Sequence, residues 1–301
     1  MMSANPALPV PAPARAPAPP APPAPAAPSV PVILSPLRTA DGERLRAEHW
    51  PGPAGPVRPA GSATASATAS GTASATASGT VIVLAHGFTG SLDRPAVRAV
   101  AAGLAAHAGV LAFDLRGHGA STGRSTLGNH EVLDLTAAVE RARELGYERV
   151  ATCGWSMGGS VVLRHAALVG GVDAVASVSA TSRWSYRGTP PMRRVHWVVE
   201  HRLGRMLARR LLRVRISDAR WDPVPESPVE CVARIAPVPV LIVHGDRDGY
   251  FPLEHAEALA AAAGTTGELW VVEGFGHAET AATADLLDRI GARLVALAAG
   301  A

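Results

Sequence analysis

The sequence predicts one α/β domain, built on a mostly parallel, doubly wound sheet. Short apolar runs typical of buried strands alternate with longer helix-compatible segments across residues 80–178 and 238–272. Parallel neighbours need a crossover connection, so this alternation indicates a sheet with helices on both faces. A chain of 301 residues is long enough for one such domain with a large core.

The first 31 residues differ from this domain in composition. They hold 12 of the 26 prolines, mixed with alanine, and this predicts an extended, disordered tail. A partner that binds polyproline geometry is the less favoured alternative for the tail. The α/β domain is therefore expected to span residues 32–301.

An antiparallel edge is predicted at the start of the domain. Residues 32–38 and 43–50 are typical of two strands, and the turn sequence at 39–42 joins them. Residues 52–80 then become rich in glycine and proline and repeat the letters Ala-Thr-Ala-Ser. This low-complexity stretch lacks a core pattern, and we expect it to be a flexible surface loop.

In the rest of the domain, predicted strands alternate with predicted helices. The predicted strands cover residues 80–85, 109–113, 149–153, 172–178, 238–243 and 268–272. The predicted helices cover residues 95–107, 131–145, 159–168 and 253–263. Between residues 181 and 235 the alternation stops, and apolar residues at helical spacing along 193–216 predict an amphipathic helix rich in arginine.

The most specific motif lies between one predicted strand and the next helix. Gly154-Trp155-Ser156-Met157-Gly158 has the pattern G-x-S-x-G. At a sharp strand-to-helix turn, this pattern holds a serine with its hydroxyl exposed above the sheet. We interpret Ser156 as a nucleophile; a serine that only caps the helix is the alternative.

A nucleophilic serine needs a base and an acid that orients the base. Candidates for both roles follow Ser156 in the sequence, first the aspartates and then the histidine. Asp246 and Asp248 lie in the turn after the predicted strand 238–243, and His277 lies in a glycine-flanked loop after strand 268–272. We expect His277 to act as the general base, and either aspartate could orient it.

Four blocks in this order resemble the α/β-hydrolase superfamily of serine hydrolases, close to its bacterial lipase-like and esterase-like members. The blocks are residues 86–88, residues 114–119, the Ser156 motif, and residues 244–252 with His277; the resemblance covers roughly residues 32–300. It implies the α/β-hydrolase fold, with residues 181–235 as an inserted helical cap over the site.

The resemblance also assigns roles. It implies that Asp248, third after the glycine of its turn, is the acid, while Asp246 is expected to bond the backbone of its own turn. It implies that the backbone N–H groups of Phe88 and Met157 stabilise the oxyanion.

The expected activity is hydrolysis of a carboxylic ester or thioester of a small or lipid-like substrate, through an acyl-enzyme. Amide or peptide hydrolysis and acyl transfer would use the same groups, because a fold does not fix a substrate. A non-catalytic binding protein on this scaffold is a further alternative. No cofactor or metal site is predicted, since no ligand spacing stands out and the P-loop lysine is missing from a chain without lysine.

Composition adds further expectations. A net charge of +3 argues against a nucleic-acid binder, and two cysteines without a framework fit a reduced, cytoplasmic protein. The sequence contains no apolar run of membrane-spanning length and no signal-peptide core.

Contact of the arginine-rich cap with a membrane surface is possible but not favoured over a cap whose apolar stripe packs on the pocket. The oligomeric state stays open.

Overall fold

The structure is a computed structural model that describes residues 32–53 and 79–300. The predicted tail, residues 1–31, lies outside the described residues. Residues 54–78, most of the predicted low-complexity loop, also lie outside them.

The described residues form one large sheet and one small hairpin. In chain order, the strands are β1 (Ile33–Leu34), β2 (Leu37–Arg38), β3 (Arg44–Leu45), β4 (Ala47–Trp50), β5 (Thr80–Ala85), β6 (Gly109–Phe113), β7 (Arg149–Trp155), β8 (Ala174–Val178), β9 (Val240–Gly245) and β10 (Gly267–Val272). Eight of them pair in the order β1-β4-β6-β5-β7-β8-β9-β10, and β2 pairs with β3. The six strands from β5 to β10 run parallel, whereas β1 and β4 form an antiparallel edge. The predicted mostly parallel sheet is confirmed.

Helices cover both faces of the sheet. They are α1 (Pro95–Leu104), α2 (Glu131–Glu144), α3 (Met157–Leu168), α4 (Pro190–Glu200), α5 (Arg202–Leu207), α6 (Pro228–Val232), α7 (Glu254–Ala263) and α8 (Ala284–Ala298). Helices α1 and α8 pack on one face, and α2, α3 and α7 pack on the other. Among the described residues, no helix combines the length and apolar character needed to cross a bilayer.

Alternation along each strand supplies the two cores. In β5, Val81, Val83 and Ala85 face the layer of α2 and α3, while Ile82 and Leu84 face the layer of α1 and α8. Successive side chains of a strand point to opposite faces, so a strand that is covered on both sides is apolar throughout. This is why the buried strands stand out in the sequence.

The predicted N-terminal hairpin forms, but each of its two strands is interrupted. Pro36 separates β1 from β2 because it has no N–H for a ladder hydrogen bond. Arg46 separates β3 from β4: its N–H donates to Ser121 Oγ at 3.0 Å, and its carbonyl accepts from Asp114 N–H at 2.9 Å. The turn itself needs Gly42, whose φ is +89°.

The prediction of one amphipathic helix over residues 193–216 is wrong in its continuity. The segment comprises α4, α5 and a π-helical turn at Ala208–Leu212, with an extended residue, His201, between α4 and α5. Gly204 explains the break, because a Cβ there would lie 2.5 Å from Val198 Cα. This close approach of two backbones requires the chain to fold back at His201.

Candidate active site

Ser156 occupies the turn between β7 and α3. Its backbone has φ +51° and ψ −114°, outside the regions that side-chain-bearing residues usually adopt. Its N–H donates to the carbonyl of Val178 on the neighbouring strand at 2.8 Å. This conformation lifts the hydroxyl above the carboxyl edge of the sheet, as the G-x-S-x-G pattern predicts.

Two glycines make this turn sterically possible. A Cβ at Gly154 would lie 2.1 Å from the carbonyl oxygen of Gly158, and a Cβ at Gly158 would lie 2.2 Å from that of Ala85. Real Cβ atoms do not approach backbone so closely. The helix that follows Ser156 can therefore sit directly on β5 and β7 only because both positions are glycine.

Ser156, His277 and Asp248 form a continuous chain of hydrogen bonds. Ser156 Oγ lies 3.0 Å from His277 Nε2, and His277 Nδ1 lies 2.7 Å from Asp248 Oδ2. Since the carboxylate accepts from Nδ1–H, Nε2 turns its lone pair towards the serine hydroxyl. The three residues come from three strand ends that meet at one edge of the sheet, because β7, β9 and β10 are parallel.

Asp248 is held as an anion. Its side chain is fully buried, and Oδ1 accepts the backbone N–H groups of Tyr250 at 2.8 Å and Phe251 at 3.0 Å. Burial raises the pKa of this carboxyl, but the hydrogen bond to His277 and the two backbone donors outweigh burial. The net pKa lies below the ordinary value for aspartate.

The His277 ring is also held by aromatic contacts. Tyr250 stacks on it with ring centroids 4.2 Å apart and an interplanar angle of 25°, and Phe251 meets it edge-on at 5.6 Å. Neither contact was predicted from the sequence. The only signal available was that both residues follow Asp248 in the same turn.

Asp246, the other carboxylate of this turn, is exposed and does not reach His277. Its Oδ1 accepts the N–H of Gly274 at 2.7 Å, in the loop that carries His277. We expected a bond within its own turn, and the bond instead joins two loops. Asp246 thus helps to position the histidine from a distance.

Phe88 and Met157, the predicted oxyanion donors, flank the serine. Met157 directly follows it, and Phe88 follows Gly87, where an added Cβ would lie 3.3 Å from Ser156 Cβ. Within the described part of the chain, neither backbone N–H has an acceptor. Two unpaired donors at this place suit an oxygen atom of a bound ligand.

Two buried histidines fix the loop that carries Phe88. His118 Nε2 lies 2.5 Å from the Phe88 carbonyl oxygen, and His86 Nδ1 lies 2.7 Å from the Gly87 carbonyl oxygen. Leu115 N–H donates to His86 Nε2 at 3.1 Å, so this ring carries its proton on Nδ1. Burial lowers the pKa of His86 to about 3 and keeps it neutral. Both rings therefore hold the backbone of the loop that carries Phe88.

Glu279 contributes a further contact that was not predicted from the sequence. Its Oε1 accepts the N–H of Gly87 at 2.6 Å, next to the loop of Phe88. Burial raises the pKa of this carboxyl above the ordinary value for glutamate. Its position two residues after His277 was the only sequence signal. This bond fixes the position of the loop that carries His277 relative to the loop that carries Phe88.

The block at residues 114–119 is structural. Asp114 accepts the N–H groups of Leu92 at 2.6 Å and Ala120 at 3.0 Å, and Arg116 forms a buried ion pair with Asp134 at 2.7 Å. Desolvation raises the pKa of Asp134 to about 7 even though Arg116 opposes it. These bonds fasten the loop that carries His118.

A cavity of about 1380 Å³ lies between the sheet edge and the helices of residues 181–235. Ser156 and His277 lie on its floor. The apolar part of its cap walls comes from Trp184, Met192, Val195, Val199, Leu212, Trp221 and Val224, and the charged part from Arg183, Glu200, Arg205, Asp218 and Arg220. Across residues 32–53 and 79–300, no three histidine, cysteine, aspartate or glutamate side chains cluster as ligands of a metal ion would.

Comparisons with known proteins agree with this architecture. A family model described as the alpha/beta hydrolase fold matches residues 80–210, from β5 through the cap helices to the π-helical turn. Among curated proteins, none has significant sequence similarity to the chain.

Solved structures with the same fold include several hydrolases. An esterase of Pyrococcus furiosus has a TM-score of 0.63 and 19% identity, with 89% of this chain and 92% of that chain covered. An alpha/beta hydrolase of a Penicillium species has a TM-score of 0.65 and 19% identity, with 89% and 99% covered. The esterase domain of a Rhodothermus marinus protein has a TM-score of 0.55 and 21% identity, with 88% and 96% covered.

The sheet order, the serine turn between β7 and α3, the family match and these shared folds lead to one conclusion. The chain has the α/β-hydrolase fold.

Proposed function

We propose that the chain is a serine hydrolase that cleaves carboxylic esters or thioesters through an acyl-enzyme on Ser156. One observation carries the proposal: His277 bridges Ser156 Oγ at 3.0 Å and Asp248 Oδ2 at 2.7 Å. A serine, a base and an orienting carboxylate in hydrogen-bond contact are the arrangement that nucleophilic acyl transfer needs.

In the first step, Ser156 Oγ attacks the ester carbonyl carbon while His277 Nε2 takes the hydroxyl proton. A C–O bond forms, and the carbonyl π electrons move onto oxygen, which becomes an oxyanion. The N–H groups of Phe88 and Met157 are the donors for that oxygen. The ionised Asp248 stabilises the imidazolium that forms.

The intermediate then collapses and expels the alcohol or thiol, which receives the proton from His277 Nε2. A water molecule gives a proton to the same nitrogen and attacks the acyl carbon. The second intermediate releases the acid and restores the Ser156 hydroxyl with that proton. Each proton taken by His277 is returned, so the cycle needs no cofactor.

An ester or thioester substrate fits the surroundings of the serine. The cavity is large enough for an acyl chain, and most of its lining surface is apolar. Two of the structures that share the fold are described as esterases. Amide hydrolysis and acyl transfer would use the same groups, and the experiment below separates them by substrate.

The test combines a fluorophosphonate probe with p-nitrophenyl esters from acetate to palmitate. Ser156→Ala should abolish labelling and lower turnover by about 10³-fold or more, because the nucleophile is lost. Ser160→Ala is the matched control. Ser160 lies one turn later on α3, its hydroxyl is buried, and among the described residues it has no hydrogen-bond partner.

The control variant should label like the wild type. Labelling that survives Ser156→Ala, or an unlabelled folded wild type, would overturn the proposed nucleophile. Labelling without turnover of any ester in the panel would instead overturn the ester class. Amide substrates and acyl acceptors would then be compared on the labelled enzyme.

A further inference from the structure

The outer side of the cap is unusually apolar. Five large side chains of α4, α5 and the π-helical turn face solvent, with exposed fractions of 43% for Trp197, 54% for Leu203, 44% for Met206, 36% for Leu207 and 72% for Leu211. We call these five residues, with the exposed arginines beside them, the outer cap surface. A contiguous exposed apolar surface usually marks a binding site.

The orientation of α5 explains why these side chains are outside. Its inward positions are Gly204 and, one turn on, Ala208, which are both buried and small. Arg205 also turns inward to the cavity and donates to the carbonyl of Val199 at 2.8 Å. Leu203, Leu207 and Leu211 follow one another at a spacing of four, so they lie along one exposed stripe, roughly 100° around the helix from Gly204 and Ala208. The long apolar side chains therefore have no core to enter.

The same surface is strongly basic. Residues 193–215 contain eight arginines and one acidic residue, Glu200, in a chain whose formal net charge is only +3. Glu200 already pairs with Arg187 and His196. Four of the arginines are exposed, and no hydrogen bond or ion pair joins their side chains to another residue in the described ranges: Arg194, Arg202, Arg209 and Arg210.

We propose that the outer cap surface docks on an anionic lipid membrane. An anionic membrane surface offers an acyl region below a layer of lipid phosphates. The exposed leucines and the tryptophan would enter the boundary of the acyl region, and the unpaired arginines beside them would bind the phosphates. The proposal does not depend on the hydrolase activity.

Charge argues against the other occupants of this surface. A second copy in a symmetric dimer would bring the same arginines face to face. Residues 1–31 and 54–78 contain Arg15 and Arg58 and no carboxylate, so neither segment complements the arginines. A nucleic acid would pair with the arginines but would leave the leucine stripe in water.

The experiment is sedimentation of the full chain with vesicles of phosphatidylcholine alone and with roughly one third phosphatidylglycerol. The wild type should sediment with the anionic vesicles, release as salt rises, and stay in solution with the neutral ones. Equal, negligible sedimentation with both would overturn the proposal. So would tighter binding to a DNA duplex than to anionic vesicles.

Apolar docking is tested by replacing Leu203, Leu207 and Leu211 together with glutamine, which keeps the helix propensity. Binding to anionic vesicles should fall by at least about tenfold, because three side chains no longer enter the acyl boundary. The thermal unfolding midpoint should match the wild type. Unchanged vesicle binding would show that the stripe does not touch lipid and would refute the proposal.

Electrostatic docking is tested with Arg202→Gln, Arg209→Gln and Arg210→Gln combined. Binding should fall by about tenfold or more, with a weaker dependence on salt. The matched control removes three exposed arginines from the strands: Arg38→Gln, Arg44→Gln and Arg149→Gln. It changes the net charge equally and should bind within about threefold of the wild type. An equal loss of vesicle binding in both variants would mean that binding depends on net charge alone. That outcome would refute docking through the outer cap surface.

Discussion

The two sides of the cavity are built in different ways. On the sheet side, eight of the twelve residues of α3 are buried, and Ser156, His277 and Asp248 are fixed by hydrogen bonds. On the cap side, α4 has no buried residue at all. Burial and hydrogen bonding fix geometry, whereas a thinly packed segment can change its sequence and position at little cost in stability. The proposed catalytic residues therefore lie on the firmly packed side of the cavity, and the cap walls on the thinly packed side.

The largest expected effect comes from the carboxylate that bonds His277. Asp248→Asn should lower kcat/KM by about 10²- to 10⁴-fold, because an amide at that position favours the wrong tautomer of the histidine. Asp246→Asn should change kcat/KM by less than about tenfold, since Asp246 bonds Gly274 and does not touch the histidine. Steady-state kinetics on one ester measures both variants. Equal losses of kcat/KM would mean that the bond from Asp246 to the His277 loop matters as much as the bond from Asp248 to the ring. A larger loss for Asp246→Asn would reverse the assignment of the acid.

Next in size is the steric requirement of the serine turn. Gly154→Ala should lower the free energy of unfolding by at least about 3 kcal/mol, because its Cβ would lie 2.1 Å from the Gly158 carbonyl oxygen. Gly249→Ala is the control, as no atom lies within 4 Å of a Cβ built there. That variant should stay within about 1 kcal/mol of the wild type. Urea unfolding monitors both, and a neutral Gly154→Ala would show that the sheet side is less rigid than its contacts indicate.

Acid should weaken the sheet side through its buried histidines. His165 on α3 is fully buried, and in the described structure neither ring nitrogen has a partner. Burial lowers its pKa from 6.5 to about 4. Below pH 6.5 the unfolded chain binds a proton that the folded chain does not, so stability is lost as the pH falls towards 4.

His165→Leu should remove this loss, which amounts to about 2 kcal/mol at pH 5. Urea unfolding at pH 5 and pH 8 measures it, and pH 8 is the internal control because both states of the histidine are neutral there. The variant's stability, relative to the wild type, should rise between pH 8 and pH 5. An identical pH dependence for both proteins would mean that His165 is protonated or solvated in the folded chain.

Sequence patterns predicted the sheet side well. The predicted strands 80–85 and 109–113 coincide with β5 and β6, because strands covered on both faces leave uninterrupted apolar runs between polar turns. Parallel strands bring their carboxyl ends to one edge, so Ser156, Asp248 and His277 could be expected to meet. The geometry of the three side chains fits that expectation.

What sequence could not supply are contacts between distant segments. Glu279 bonds Gly87, which is 192 residues away, and Asp246 bonds the next loop instead of its own turn. The break at His201 depends on how closely Gly204 approaches Val198. Periodicity reports only the local preference for helix. The cap was therefore predicted as helical but not as two helices with leucines outside.

The smallest expected effect is that of Leu211→Ala, which we compare with a leucine substitution on the sheet side. Leu163 lies in the core and is fully buried, so Leu163→Ala should cost about 2–5 kcal/mol of unfolding free energy. Leu211 on the outer cap surface is 72% exposed, and Leu211→Ala should cost less than about 0.5 kcal/mol. Urea unfolding at two protein concentrations measures both. If Leu211→Ala costs as much as Leu163→Ala, and the cost grows with concentration, a second copy covers the leucine stripe in solution. The outer cap surface would then be an interface between subunits, closed to a membrane.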